Sequence, residues 1–302
     1  MNIAYLISAH TDAPQLNRLI EALHPDAHFF VHIDKKSDIT PFISLIHQEN
    51  VHFLSNRIDV RWGTILEVDY QMALMKAAID YPISFDHIFF LSGMDYPLWS
   101  NERITAWLEE QGDREQLCGI CMDTDLINSQ QRTLYLTPRP FFHLGMLGNR
   151  CNQRLSILCR NVKTLLGLRK PLHFEVDGTT WRLYKGSAWW CISQDLASYI
   201  YNMYANHPEI RRYFVDSFGQ AETIIQTIAF NSSEWAPKCL QVEGAYPGLA
   251  ALTPLHFIIY EPVIKVMDEM DYDTLMASGR MFTRKLVSGK SEKLIERLHD
   301  RK

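Results

Sequence analysis

Residues 3–34 read IAYLISAHTDAPQLNRLIEALHPDAHFFVHID, and the fold is decided there. Ile3 to Ser8 is a short apolar run that ends in the polar turn AHTDAP, as a buried strand does. Leu16, Leu19, Ile20 and Leu23 then recur at i, i+3, i+4 and i+7, the stripe of a helix lying on a sheet. Phe29 to Ile33 is a second strand, closing on Asp34-Lys35-Lys36-Ser37. The alternation continues with a strand at Val51 to Leu54, a helix from Ile65 to about Ile79, and a strand at His87 to Leu91 that runs into Ser-Gly-Met-Asp-Tyr-Pro at 92–97. Strands alternating with helices predict parallel βαβ units in an open α/β sheet. Ligands of such sheets sit beyond the carboxyl ends of the strands, which makes His10, Asp12, Asp34 and Asp95 site candidates.

The 302 residues are 47% apolar and 22% charged, a globular balance that excludes a disordered or low-complexity chain. Net charge is −5, without the basic excess that general nucleic-acid binding requires. No apolar run approaches the roughly 20 residues of a spanning helix, and the first residues lack a basic n-region, so the expected location is cytoplasmic. Six cysteines are too sparse for a disulfide framework. Cys118 and Cys121 form a CxxC, but no second pair stands at zinc-site spacing, and buried free thiols are expected.

Charge is uneven in one place. From Leu126 to Phe174 there is no acidic residue, while Arg132, Arg139, Arg150, Arg154, Arg160, Lys163, Arg169 and Lys170 are basic. With Leu155, Ile157, Leu158, Val162, Leu165, Leu166 and Leu168 interleaved, 132–170 reads in one of two ways: as a solvated basic face, or as an amphipathic helix in peripheral contact with an anionic membrane.

Four blocks place polar or aromatic residues where a plain core would not: RIDVRWG (57–63), LSGMDYPL (91–98), KGSAWW (185–190) and FTRKL (282–286). Adjacent tryptophans after a Gly-Ser turn either fill the core or offer a face on which a sugar stacks. Glu222 lies in QAETIIQTI (220–228), where a carboxylate either caps a helix or serves as a general base.

YLISAH near the start, VHIDKKS at 31–37, Trp62-Gly63, LSGMDYPL, KGSAWW, a Glu-containing helix start and Phe-x-Arg-Lys occur in that order over residues 3–286. In this the chain resembles the core-2/I-branching N-acetylglucosaminyltransferases, a family that also contains the peptide O-xylosyltransferases. The resemblance implies a GT-A type nucleotide-sugar fold with a mostly parallel central sheet. It also implies an inverting transfer from a UDP-sugar to an acceptor glycan hydroxyl, with no metal and no other cofactor. It implies one domain over 1–302, with 1–100 as the nucleotide-binding half and 101–302 supplying the acceptor side and a C-terminal diphosphate-binding segment. Carried over by position, His10 and Asp34 fall at the uridine, Arg57 and Trp62 in the following donor-side segment, and Glu222 at the catalytic base. Lys285 falls at the diphosphate, with Arg284 beside it and Lys265 as the nearest second cation. Asp95, Tyr96 and Trp189 are expected to grip the sugars. The family's usual Asp-Glu is Ala221-Glu222 here. Lacking an anchor and disulfides, the chain looks like a bacterial member.

The donor sugar expected by resemblance is N-acetylglucosamine, with xylose as the alternative. Two rivals from other classes are a glycoside hydrolase pairing Glu222 with Asp95, and a non-catalytic carbohydrate- or membrane-binding module. An Asp-x-Asp at 123–125 is the alternative metal site, and the one at 271–273 reads as a helix cap.

Overall fold

A computed structural model describes residues 1–123, 134–142, 148–261 and 263–299. Its centre is a five-stranded sheet of β1 (Ile3–Ala9), β2 (His28–Ile33), β3 (Val51–Phe53), β4 (His87–Ser92) and β10 (Cys191–Ile192), in the order β10-β4-β1-β2-β3. The first four are parallel and β10 runs antiparallel to β4. Alternate residues of each strand feed opposite faces. Tyr5, Ile7, Phe29, Val31, Phe89 and Leu91 enter one core with helix α1 (Ala13–Ala22). Leu6, Phe30, Ile88 and Phe90 enter a second core with helix α2 (Leu66–Ile79). The predicted elements are found within one or two residues of their expected ends, and the chain is mixed α/β with a mainly parallel central sheet.

Two small sheets extend this frame past the carboxyl ends of the strands. One joins β5 (Asp95–Pro97), β12 (His256–Ile258) and β15 (Phe282–Arg284); the other joins β6 (Cys118–Cys121), β9 (Tyr184–Gly186) and β11 (Leu240–Val242). Register in the first places Arg284 opposite Asp95. A helix, Asn149–Leu165, follows residues 143–147, which lie outside the described residues. All six cysteines are free, but Cys151 is exposed and Cys159 half-buried, so the expectation of buried thiols holds for the other four.

Candidate active site

Glu222 ends a single 3-10 turn, Gln220–Glu222, entered through Gly219 at φ 68°. Glycine is required there twice over: the left-handed φ disfavours a side chain, and a Cβ would stand 2.5 Å from the Tyr135 ring. Tyr135 donates its hydroxyl to Glu222 Oε2 at 2.5 Å, and the ammonium of buried Lys185 lies 2.7 Å from the same oxygen. Lys185 also rests over the Tyr135 ring, 4.5 Å from its centroid. Oε1 has no protein hydrogen bond among the described residues, and the side chain keeps 26% of its surface exposed. One oxygen is thus anchored and one is free. Burial and the charge of Glu222 push the nearby Tyr246 hydroxyl up to about 12.

Glu67, in the first turn of α2, accepts the Gly63 N–H at 2.8 Å. Burial and the neighbouring Glu222 push its carboxyl up to about 7, against the Gly63 hydrogen bond. The folded protein therefore holds a proton between about pH 4.5 and 7 that the unfolded chain has released. The stability this group contributes is complete below the unfolded value and is lost as pH rises through 7. Glu67→Gln is expected to gain thermal stability relative to wild type from pH 5 to pH 8, read as the difference between the two melting temperatures; a constant gap removes Glu67 from the titration.

At the ends of β1 and β2, Asp34 knits its own loop. Its Oδ1 accepts the N–H of Lys36 at 3.0 Å and of Val60 at 3.4 Å, and its Oδ2 pairs with the Lys36 ammonium at 3.2 Å. Arg57 donates to the carbonyls of Ser37 (2.9 Å) and Asp34 (3.4 Å), fixing the rim. Beneath them His32 is buried, stacked on Tyr70, and accepts the Ile58 N–H at 2.9 Å. Desolvation lowers its pKa to about 4, so it is neutral at physiological pH. His10 stands beside this loop. Desolvation holds its imidazole below the usual range, with Asp34 opposing and Arg284, Lys285 and Lys36 acting in the same direction as burial. Trp62 is 67% exposed and meets Phe218 edge-on at 5.3 Å, bringing the 57–63 loop next to the turn that carries Glu222.

Asp95 and Tyr96 correct the expectation that they grip a sugar. Asp95 is wholly buried, and both its oxygens are occupied: Oδ2 by the Ser92 N–H (2.7 Å) and His256 Nε2 (3.2 Å), Oδ1 by the Arg284 guanidinium (3.1 Å). Burial alone would raise its carboxyl, but His256, Arg284 and the Ser92 N–H outweigh it and leave the pKa low. Tyr96 is buried in the core of the opposite sheet face, where desolvation pushes it up to about 12. Trp189 is half-buried, stacked on Phe90 at 5.8 Å, with the Arg284 guanidinium over its ring at 5.0 Å. It is a shelf for that cation, not an open platform.

Arg284 is thereby held from two sides with its Nε buried and lacking a protein partner, and the ammonium of neighbouring Lys285 has no hydrogen bond or ion pair among the described residues. Lys265 lies close by, its carbonyl 3.4 Å from the Lys285 N–H, but its ammonium is paired with Asp271 at 2.5 Å. Asp271 in turn accepts the Asp268 N–H in a capping box whose N-cap is Asp268, while at the start of the helix Tyr272–Ala277 its side chain makes no capping bond, which departs from the expectation that 271–273 supplies the cap. Asp123 is gripped by both arms of Arg182 at 2.7 Å, by Cys121 Sγ at 2.8 Å and by His173 at 3.1 Å, and Asp125 lies outside the described residues.

Tyr135, Glu67 and His256 were given no role by the sequence, and Lys185 was named only as the first residue of the KGSAWW block. Lys185 carried a signal, a charged residue on a strand next to Gly186-Ser187; the other three show their role only through partners distant in the chain.

A family model described as Core-2/I-Branching enzyme matches residues 3–247. Xylosyltransferase 2 of Mus musculus is 26% identical over 241 residues, covering 77% of this chain and 25% of that protein. Xylosyltransferase 2 of Homo sapiens is 25% identical over 247 residues, again 77% and 25%. The chain spans about a quarter of the length of these curated relatives. Among solved structures, S. aureus TarS 1–349 is 12% identical with a TM-score of 0.29, covering 46% of this chain and 42% of that one.

Proposed function

The chain belongs to the core-2/I-branching enzyme family, and from that premise we propose that it is a glycosyltransferase moving a sugar from a UDP donor to a glycan or glycoconjugate hydroxyl, with inversion and without a metal. The observations that support the reading are a half-anchored carboxylate, Glu222, and two adjacent cations, Arg284 and Lys285, with the Tyr260 hydroxyl raised by burial and Glu222 and lowered by Arg284. In this reading Glu222 Oε1 takes the proton of the acceptor hydroxyl as its oxygen attacks the anomeric carbon. Oε2 is held by Tyr135 and Lys185 so that the base keeps its aim. Arg284 and Lys285 meet the charge that develops on the departing diphosphate. Asp95 and His256 position Arg284 and touch no substrate. His10 and the Asp34 loop receive the uridine, with Trp62 at the rim.

The donor proposed from the resemblance is UDP-N-acetylglucosamine; UDP-xylose is the second reading, favoured by the relatives' being xylosyltransferases. Hydrolysis loses Asp95 as a partner for Glu222, and Glu67, with its raised carboxyl, is the acid that a glycosidase would have to use instead. Nucleotide binding separates the classes. UDP at a hundred times its Kd is expected to stabilise the fold by about 2.7 kcal/mol, visible as a rise in Tm, and a panel with both UDP-sugars ranks the donors. No response to any uridine nucleotide, with release of sugar from a glycan alone, would hand the site to hydrolysis.

A further inference from the structure

The helix Asn149–Leu165 carries an apolar row on its outward side. Asn152 and Ser156 are its buried residues, with Leu155, Cys159, Arg160, Lys163 and Thr164 half-buried. Polar bonds latch the buried side to the segment 134–142: the Phe142 N–H donates to Ser156 Oγ at 3.3 Å, and Thr164 Oγ1 donates to Thr137 Oγ1 at 3.3 Å. Solvent meets Leu158 at 58% exposure, Leu165 at 87% and Leu166 at 68%, with Val162 on the same face and Leu168 just beyond. The outward face carries leucines as well as exposed arginine, so it is not a purely basic face. A contiguous apolar row on a surface marks a contact with a partner.

The charge around the row says which partner. Arg154 and Arg169 are exposed beside it, and no acidic residue occurs between 126 and 174. A second copy of this chain packed on the same face would bring those arginines against their own equivalents, which opposes a symmetric dimer. An anionic lipid surface satisfies both parts: hydrocarbon for the leucines and headgroup charge for the arginines. No helix among the described residues is long and apolar enough to cross a membrane; this one, about 25 Å long, has the form of an element lying in the interface plane.

We propose that the outward face of helix Asn149–Leu165, with Leu166 to Arg169, docks on an anionic lipid bilayer. The argument is independent of the glycosyltransferase reading. The same latch extends toward the site, since Tyr135, which holds Glu222, belongs to the segment against which the helix packs.

Co-sedimentation of the full chain with phosphatidylcholine vesicles, with and without phosphatidylglycerol, is the test. Wild type is expected to bind the mixed vesicles at low salt and to weaken at high salt. Leu158→Asp combined with Leu165→Asp should lower binding by at least about tenfold, and Arg154→Glu by about fivefold or more. Because these side chains face solvent, the variants should keep the wild-type Tm, and its response to UDP reports the nucleotide site separately. Absence of binding to mixed vesicles at low salt overturns the proposal. So does binding that ignores the leucine substitutions, or a wild-type dimer in solution that Leu165→Asp dissociates.

Discussion

Glu222→Gln is expected to lower turnover by roughly 10²- to 10⁴-fold while UDP affinity stays within a small factor of wild type. The exchange keeps the shape of the side chain and removes its capacity to take a proton. It also leaves Tyr135 a carbonyl oxygen to donate to, so the turn after Gly219 should survive. The anchored oxygen sharpens the prediction. If Oε2 only capped the 3-10 turn and Oε1 did no chemistry, the variant would fold, bind UDP and retain most of its rate, and that result would return Glu222 to a structural role. Steady-state kinetics with saturating acceptor, alongside UDP titration by calorimetry, distinguish the outcomes.

Lys285→Ala is expected to cost about 10²- to 10³-fold in rate, the usual loss when one fixed donor is removed from a developing anion, and added Mn²⁺ should not restore it. Wild type should keep its full rate in excess EDTA. The leaving diphosphate must be neutralised by something, and two solutions exist: a bound ion or fixed side-chain cations. Arg284 and Lys285 offer the second, one clamped between Asp95 and Trp189 and the other without a protein partner among the described residues. Asp123, half of the alternative metal motif, already spends its carboxylate on Arg182, Cys121 and His173. Activity abolished by EDTA and recovered with Mn²⁺ would overturn the fixed-cation mechanism and bring 123–125 back as a metal site.

The sheet was legible because strands and helices announce themselves locally. The apolar run of Ile3–Ala9 and the apolar stripe of Ala13–Ala22 need no distant partner to be read. The site was legible only where a chemical oddity sat in a recognisable block, as with Glu222 and Arg284-Lys285. Its supporting bonds span 37 residues from Lys185 to Glu222, 87 from Tyr135 to Glu222 and 161 from Asp95 to His256, and no local pattern encodes such pairs. Asp95 misled for the same reason. A carboxylate at a strand end reads as ligand-facing until the arginine 189 residues later is seen to occupy it. The helix Asn149–Leu165 stayed open between two readings, since amphipathic spacing reports two faces and not which of them turns outward.

The strand Phe282–Arg284 pairs with Asp95–Pro97, and this pairing has a consequence for the order of synthesis. A chain that folds from its amino end as it leaves the ribosome completes the parallel sheet and the turn bearing Glu222 well before Arg284 and Lys285 exist. At about 5–20 residues per second, the interval from residue 222 to residue 284 is roughly 3–12 s. During that interval Asp95 has no guanidinium to face. In the proposed reading the nascent chain also lacks the cations that meet the departing diphosphate, and pairing of Phe282–Arg284 with Asp95–Pro97 completes a small sheet and supplies them in one step.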